Sequence, residues 1–163
     1  AISAVVDLPF GLYRTFVIET RYGFNRMTVR LYFLDLAKQA LVAMGNLGKE
    51  GIPLLVDVMN TSTMADMQAS AAKGLGQLGG VHGDASVVLP LLAKLQDPKT
   101  DWTVLTEVAW ALGKIPDKRS IQSLYDLDKK LQRLRDPDNQ TLKKLKEAVF
   151  WAIKQCDTWD QYS

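Results

Sequence analysis

The side chains able to do chemistry are few and scattered along the chain. His82 is the only histidine, and it stands in the glycine-rich run GGVHGD two positions before Asp84. An imidazole beside a carboxylate is the beginning of a general acid–base pair, but the pair works only when a nucleophile or a positioned water lies within hydrogen-bond reach. The sequence places no nucleophile beside it, so His82 is expected as a solvent-exposed turn residue. One imidazole also falls short of the three protein ligands of a catalytic zinc site, and the histidine count excludes the His/Glu pairs of di-iron helical proteins. Cys156 is the only cysteine. It excludes an internal disulfide, fits a reducing compartment, and falls on an apolar helical stripe, where a packed and inert thiol is expected. The run GLGQLGG (74–80) follows a helix and precedes another, so it lacks the strand that a phosphate-cradling loop requires. Its glycines are expected to stop helices. No catalytic residue, metal ligand or cofactor is assigned.

The elements that position these residues repeat. LVAMGNLGKEGIPLLVDVM (41–59), SAAKGLGQLGGVHGDASVVLPLLAKLQDP (70–98) and LTEVAWALGKIPDKRSIQSLYDLDKKL (105–131) each give an Ala/Leu-rich helix, a glycine, a turn and a second apolar helix. The anchoring glycines are Gly45, Gly76 and Gly113, and the second helices open at Ile52, Leu89 and Ile121. Pro53 and Pro90 fall in first turns, where a missing N–H costs nothing. The pairs Asp97-Pro98 and Asp136-Pro137 are expected to end second helices, because proline forces the preceding residue out of the helical region. A fourth first-helix follows in TLKKLKEAVFWAIKQC, with Trp151, Ala152 and Ile153 in the places of Trp110, Ala111 and Leu112. In that helix Leu142, Leu145, Val149, Ile153 and Cys156 make the apolar stripe, and Lys143, Lys144, Lys146 and Lys154 lie largely opposite. The pattern over roughly 38–156, with the helix end at Ala111 to Ile115 and the LPLLAKLQDP helix, resembles the HEAT family and its bilin-lyase-type relatives. The resemblance implies an all-α chain: a right-handed α-solenoid of antiparallel helix pairs, about three and a half repeats over 39–163.

Residues 1–38 form a different segment, rich in aromatic residues and arginine. LPF (8–10), LYRTFVIE (12–19), GFNRMT (23–28) and DLAK (35–38) resemble an early, non-catalytic segment of the CAAX prenyl endopeptidases, membrane-embedded zinc metallopeptidases. That chemistry needs an H-E-x-x-H helix with a further carboxylate ligand, and this sequence contains none. The segment is expected to be helix–turn–helix with a break near Gly23, Phe24 and Asn25, capping the first repeat.

Composition is that of an ordinary folded protein, and no apolar run approaches the roughly 18 residues of a membrane span. The formal charge of +2 is uneven: 129–154 carries eight basic against three acidic residues, whereas 41–128 carries seven against ten. An acidic centre argues against a duplex-sized phosphate footprint, so no nucleic acid is expected, and the basic last helix is expected to be a solvated cap. The chain opens on Ala1, which fits a processed protein or a piece of a longer one. These features point to a non-catalytic interaction scaffold or adaptor. The alternative is a regulatory or substrate-recognition fragment of a CAAX-type peptidase whose catalytic part lies elsewhere. A protein partner is expected on the concave surface of the second helices, at Asp57, Asn60, Lys94, Gln96, Gln122, Tyr125, Asp126 and Lys129. Contact with a membrane or membrane protein is expected through residues 1–38, in the cytoplasm or at the cytoplasmic face of a membrane. Ile121, Leu124, Leu127, Leu131 and Leu134 make the packing stripe of the third repeat's second helix, which leaves Tyr125 facing outward.

Overall fold

The computed structural model describes residues 35–40, 43, 48–82 and 84–162. The expected break at Gly23, Phe24 and Asn25 lies outside them. Residues 38–163 form one compact unit. Residues 35–40 are helical, and six helices follow: α1 (Ile52–Thr61), α2 (Ala65–His82), α3 (Val88–Gln96), α4 (Trp102–Lys114), α5 (Lys118–Gln132) and α6 (Gln140–Tyr162). No strand occurs among the described residues.

The helix starts follow from short polar side chains that satisfy otherwise unpaired N–H groups. Asp101 accepts from the Thr103 N–H at 2.8 Å, Asp117 from the Arg119 N–H at 2.8 Å, and Asn139 from the Leu142 N–H at 3.0 Å. Both α1 and α3 are entered through a single 3-10 turn, and Pro53 and Pro90 lie in their first turns. Asp97 ends α3 in an extended conformation ahead of Pro98. The Asp136-Pro137 pair has no such role, because α5 already ends at Gln132 with Arg133 in a turn. Leu134 therefore leaves the packing stripe and is 40% exposed.

The long helices α2, α4 and α6 pack in a row, with α4 in the middle. The shorter helices lean on this row: α1 on α2, α3 on α4 and α5 on α6, with α3 also touching α5. Each packing unit thus joins the second helix of one sequence repeat to the first helix of the next. The core runs without interruption through Leu55, Leu75, Leu91, Leu112, Leu124 and Leu145, all fully buried. On α4 and at its C-cap, the apolar residues at helical spacing (Val104, Leu105, Val108, Ala109, Leu112 and Ile115) are buried. On α6, Leu142, Leu145, Val149 and Cys156 are buried as well.

Gly45 lies outside the described residues, and the glycines of α2 and α4 do not stop helices. α2 runs through Gly74, Gly76, Gly79 and Gly80, and Gly113 lies inside α4. Their role is close approach. A Cβ at Gly76 would stand 2.7 Å from both Cα and Cβ of Ala111, and one at Gly113 would stand 3.0 Å from the Ala152 Cα and run into the Trp151 ring. The glycines of α2 and α4 thus each receive the alanine of the next long helix. The neighbouring tryptophans, Trp110 and Trp151, stack with centroids 4.8 Å apart at 46°. His82 is the last residue of α2, not a residue of a free turn.

Candidate interaction surface

Among the described residues, the row of helices and the shorter helices leaning on it leave open depressions, three of which are defined by the elements that frame them. The first, of about 450 Å³, lies between α5 and α6 and is lined by Tyr125, Asp128, Phe150, Ile153, Lys154 and Asp157 among others. Tyr125 is 38% exposed, and its hydroxyl donates to Asp157 Oδ2 at 2.7 Å. That bond holds the phenol neutral and pushes its pKa up, with partial burial adding to the effect. Tyr125 therefore ties α5 to α6, in addition to facing outward as the sequence suggests. Beside it the Phe150 ring is 68% exposed.

Gln122, Asp126 and Lys129 are exposed on the same part of α5 as Tyr125, and Gln122 Nε2 donates to Asp126 Oδ1 at 3.0 Å. Asp57 and Asn60 are exposed on α1, away from this group. Lys94 on α3 is half-buried, and its carbonyl accepts from Thr100 Oγ1 at 2.8 Å. Gln96 Nε2 donates to Ser123 Oγ at 2.9 Å and so fastens α3 to α5. The structure thus gathers the four α5 residues into one patch and distributes Asp57, Asn60 and Lys94 along the earlier second helices.

Two depressions lie along the row of long helices, where no sequence pattern points to a site. One, of about 600 Å³, is lined by Gly76, Gln77, Gly80, Lys114, Trp151 and Gln155 among others. Its only sequence signal is the glycine run, once those glycines are taken as helix interior. The other, of about 520 Å³, is lined by Lys38, Asp66, Ser70, Lys73 and Glu107 among others, with Lys38 and Asp66 paired at 3.0 Å. Burial raises the Glu107 carboxyl above its ordinary range, and Lys73 and Lys114 pull in the opposite direction. Among the described residues no cluster of histidine, cysteine and carboxylates could hold a metal ion. Cys156 is buried, and desolvation pushes its thiol pKa up, so the group that reacts as a thiolate is disfavoured.

A comparison with known families matches residues 52–145 to HEAT repeats. The chain belongs to the HEAT-repeat family. The matched span runs from the start of α1 into α6. A second comparison matches residues 1–61 to the N-terminal domain of CAAX prenyl proteases, described as five membrane helices. That likeness extends past residue 38 and through α1. Over 41 residues the chain is 49% identical to a CAAX prenyl protease 1 homolog of Caenorhabditis elegans, covering 25% of this chain and 9% of that protein. Over 36 residues the chain is 53% identical to the Arabidopsis thaliana homolog, covering 22% of this chain and 8% of that protein. The probable CAAX prenyl protease 1 of Schizosaccharomyces pombe is 49% identical over 37 residues, 23% and 8%. The chain therefore spans about a tenth or less of the length of these relatives. Among the described residues no helix is long and apolar enough to cross a membrane.

Proposed function

We propose that the repeats form an interaction scaffold or adaptor without catalytic activity of its own, and that a protein partner seats on the patch made by α5 and α6. The observation that carries this reading is the juxtaposition of Tyr125 with a Phe150 ring 68% exposed, rimmed by Asp128, Lys154 and Asp157. Aromatic residues at the centre with mixed charge around them are the usual composition of a protein interface. The stacking of α2, α4 and α6 through small residues supports extension of the helix pairs as a right-handed α-solenoid, whose second helices add Asp57, Asn60 and Lys94 to the surface. Affinity capture by the wild-type chain and by Phe150→Ser/Lys129→Glu tests the reading. Both positions are exposed, so folding should be nearly unaffected, with changes within about 0.5 kcal/mol. A partner depleted at least tenfold by the variant supports the patch, and equal capture by both chains defeats it.

The match of residues 1–61 favours a second reading, in which the chain is a regulatory or substrate-recognition part of a membrane CAAX-type zinc metallopeptidase, with residues 1–38 as a separate helical segment contacting membrane helices. The coding sequence surrounding this chain decides it. Apolar spans and an H-E-x-x-H helix in the same reading frame would support the second reading, and a frame without them would exclude it.

A further inference from the structure

The turn between α5 and α6 and its flanks have a basic composition of which the scaffold reading uses only Lys129. Between Lys129 and Lys146 stand seven basic residues against two acidic ones, Asp136 and Asp138. Lys129, Lys130, Arg133, Arg135, Lys143 and Lys144 are all exposed, and among the described residues none of them enters an ion pair. The seventh, Lys146, serves the fold instead, since its ammonium donates to the Leu134 carbonyl at 2.9 Å and fixes the turn against α6. Leu134 N–H donates to the Leu131 carbonyl at 3.1 Å, so the leucine is held at both its backbone groups while its side chain remains 40% exposed between Arg133 and Arg135. Contacts of Tyr125 with Asp157 and of Lys146 with Leu134 set α5 and α6 antiparallel, which puts the 133–138 turn at one end of the hairpin, every residue of it exposed.

We propose that this turn is a docking tip for an anionic lipid bilayer, with the six exposed cations meeting the headgroups and Leu134 entering the apolar boundary beneath them. Charge complementarity supplies the attraction, since basic residues close to an anionic leaflet each contribute about a fivefold gain in binding, decaying within a Debye length. The exposed leucine decides between anionic partners. A phosphate backbone offers it no apolar phase, whereas a bilayer does, and the basic patch carries no aromatic residue on which a base could stack. The inference goes beyond the scaffold reading and does not depend on it.

The test is co-sedimentation of the full chain with vesicles of phosphatidylcholine, with and without phosphatidylserine. The quantity read is the phosphatidylserine-dependent part, so any contact made by residues 1–37 with neutral lipid is subtracted. Binding should require phosphatidylserine, weaken as salt rises, and fall by about twenty-fivefold in Arg133→Gln/Arg135→Gln. Leu134→Ser should weaken it as well, while the melting temperature of both variants stays at the wild-type value. Unchanged binding of the arginine variant, an unchanged Leu134→Ser variant, or a DNA duplex bound as tightly as the anionic vesicles would each overturn the proposal.

Discussion

Replacing Gly76 by alanine tests the way the long helices approach one another, because the sign of the effect depends on geometry and not on helix propensity. In an unconstrained helix interior, glycine to alanine stabilises by roughly 0.5–1 kcal/mol. At Gly76 the added methyl would stand 2.7 Å from Ala111 Cα, a backbone atom of a buried helix that has no rotamer by which to move away. Overpacking of this kind costs about 1–3 kcal/mol, so a net loss of about 1–2 kcal/mol is expected, or roughly 2–8 °C in Tm for a chain of this size. Gly80 provides the control, one turn further along the same helix. Its Cβ would meet Lys114 O at 3.5 Å and Lys114 Cβ at 3.6 Å, ordinary contact, so Gly80→Ala should gain about 0.5–1 kcal/mol. Thermal unfolding of the two variants, followed by circular dichroism at the helix band, gives the answer directly. If Gly76→Ala is as stabilising as Gly80→Ala, the helices are not held at the separation described and the small-residue contact is refuted.

Further outcomes follow from single groups. Asp117→Ala removes the cap on Arg119 N–H and its partner guanidinium, and should cost about 1 kcal/mol in chemical denaturation. The Arg119 hydrogen bond holds the Asp117 carboxyl below its ordinary range, so that its stabilisation is present above the unfolded-state value near 3.8 and is lost as pH falls through the lower folded value. Glu107 has the opposite sign: its folded pKa is raised by burial, so its contribution is fully present below 4.5 and lost as pH rises through the raised value, and Glu107→Gln should flatten that part of the Tm-against-pH curve. Cys156 should react with a thiol reagent only at the rate of unfolding, and quickly in denaturant; fast labelling of the native chain would contradict its burial.

Periodicity is the part of the fold most legible in the sequence. The stripes of α4 and α6 follow helical spacing, because a buried face must recur every three to four residues whatever it packs against. The stop at Asp97-Pro98 is legible for a local steric reason. The glycine runs mislead because glycine carries two opposite signals, a local preference for ending helices and a tertiary use as the residue that lets another helix come close. Only the position of Ala111 and Ala152 on the neighbouring helices distinguishes the two. The caps Asp101, Asp117 and Asn139 are marked by their spacing before each apolar run, which is the ordinary signature of a helix start. Of the expected contact residues, Tyr125 is placed outward on α5 by its register, but its bond to Asp157 joins positions 32 residues apart and no local pattern announces it.

The same small-residue arrangement explains why the candidate surface sits where it does. Aligning Trp110 with Trp151 puts Gly113 of α4 opposite Lys154 of α6, and aligning Gly76 with Gly113 puts Ala72 and Ala109 in register with Phe150. On α2 and α4 these two positions hold a glycine and a fully buried alanine that admit the next helix. On α6 they hold a lysine and a phenylalanine, whose side chains fill the space the next helix would need. A further helix seating on α6 as α6 seats on α4 would meet these two side chains. Lys154 and the exposed Phe150 ring occupy the face where stacking would otherwise continue, and Tyr125 meets that face through Asp157. Restoring the notch by Lys154→Gly/Phe150→Ala should abolish capture of a partner at this patch without loss of core packing. It should also give an apolar face prone to concentration-dependent association, read by sedimentation velocity, because small residues in register are what the first two contacts of the row use. A variant that stays monomeric and still captures the partner would show that neither side chain defines the surface.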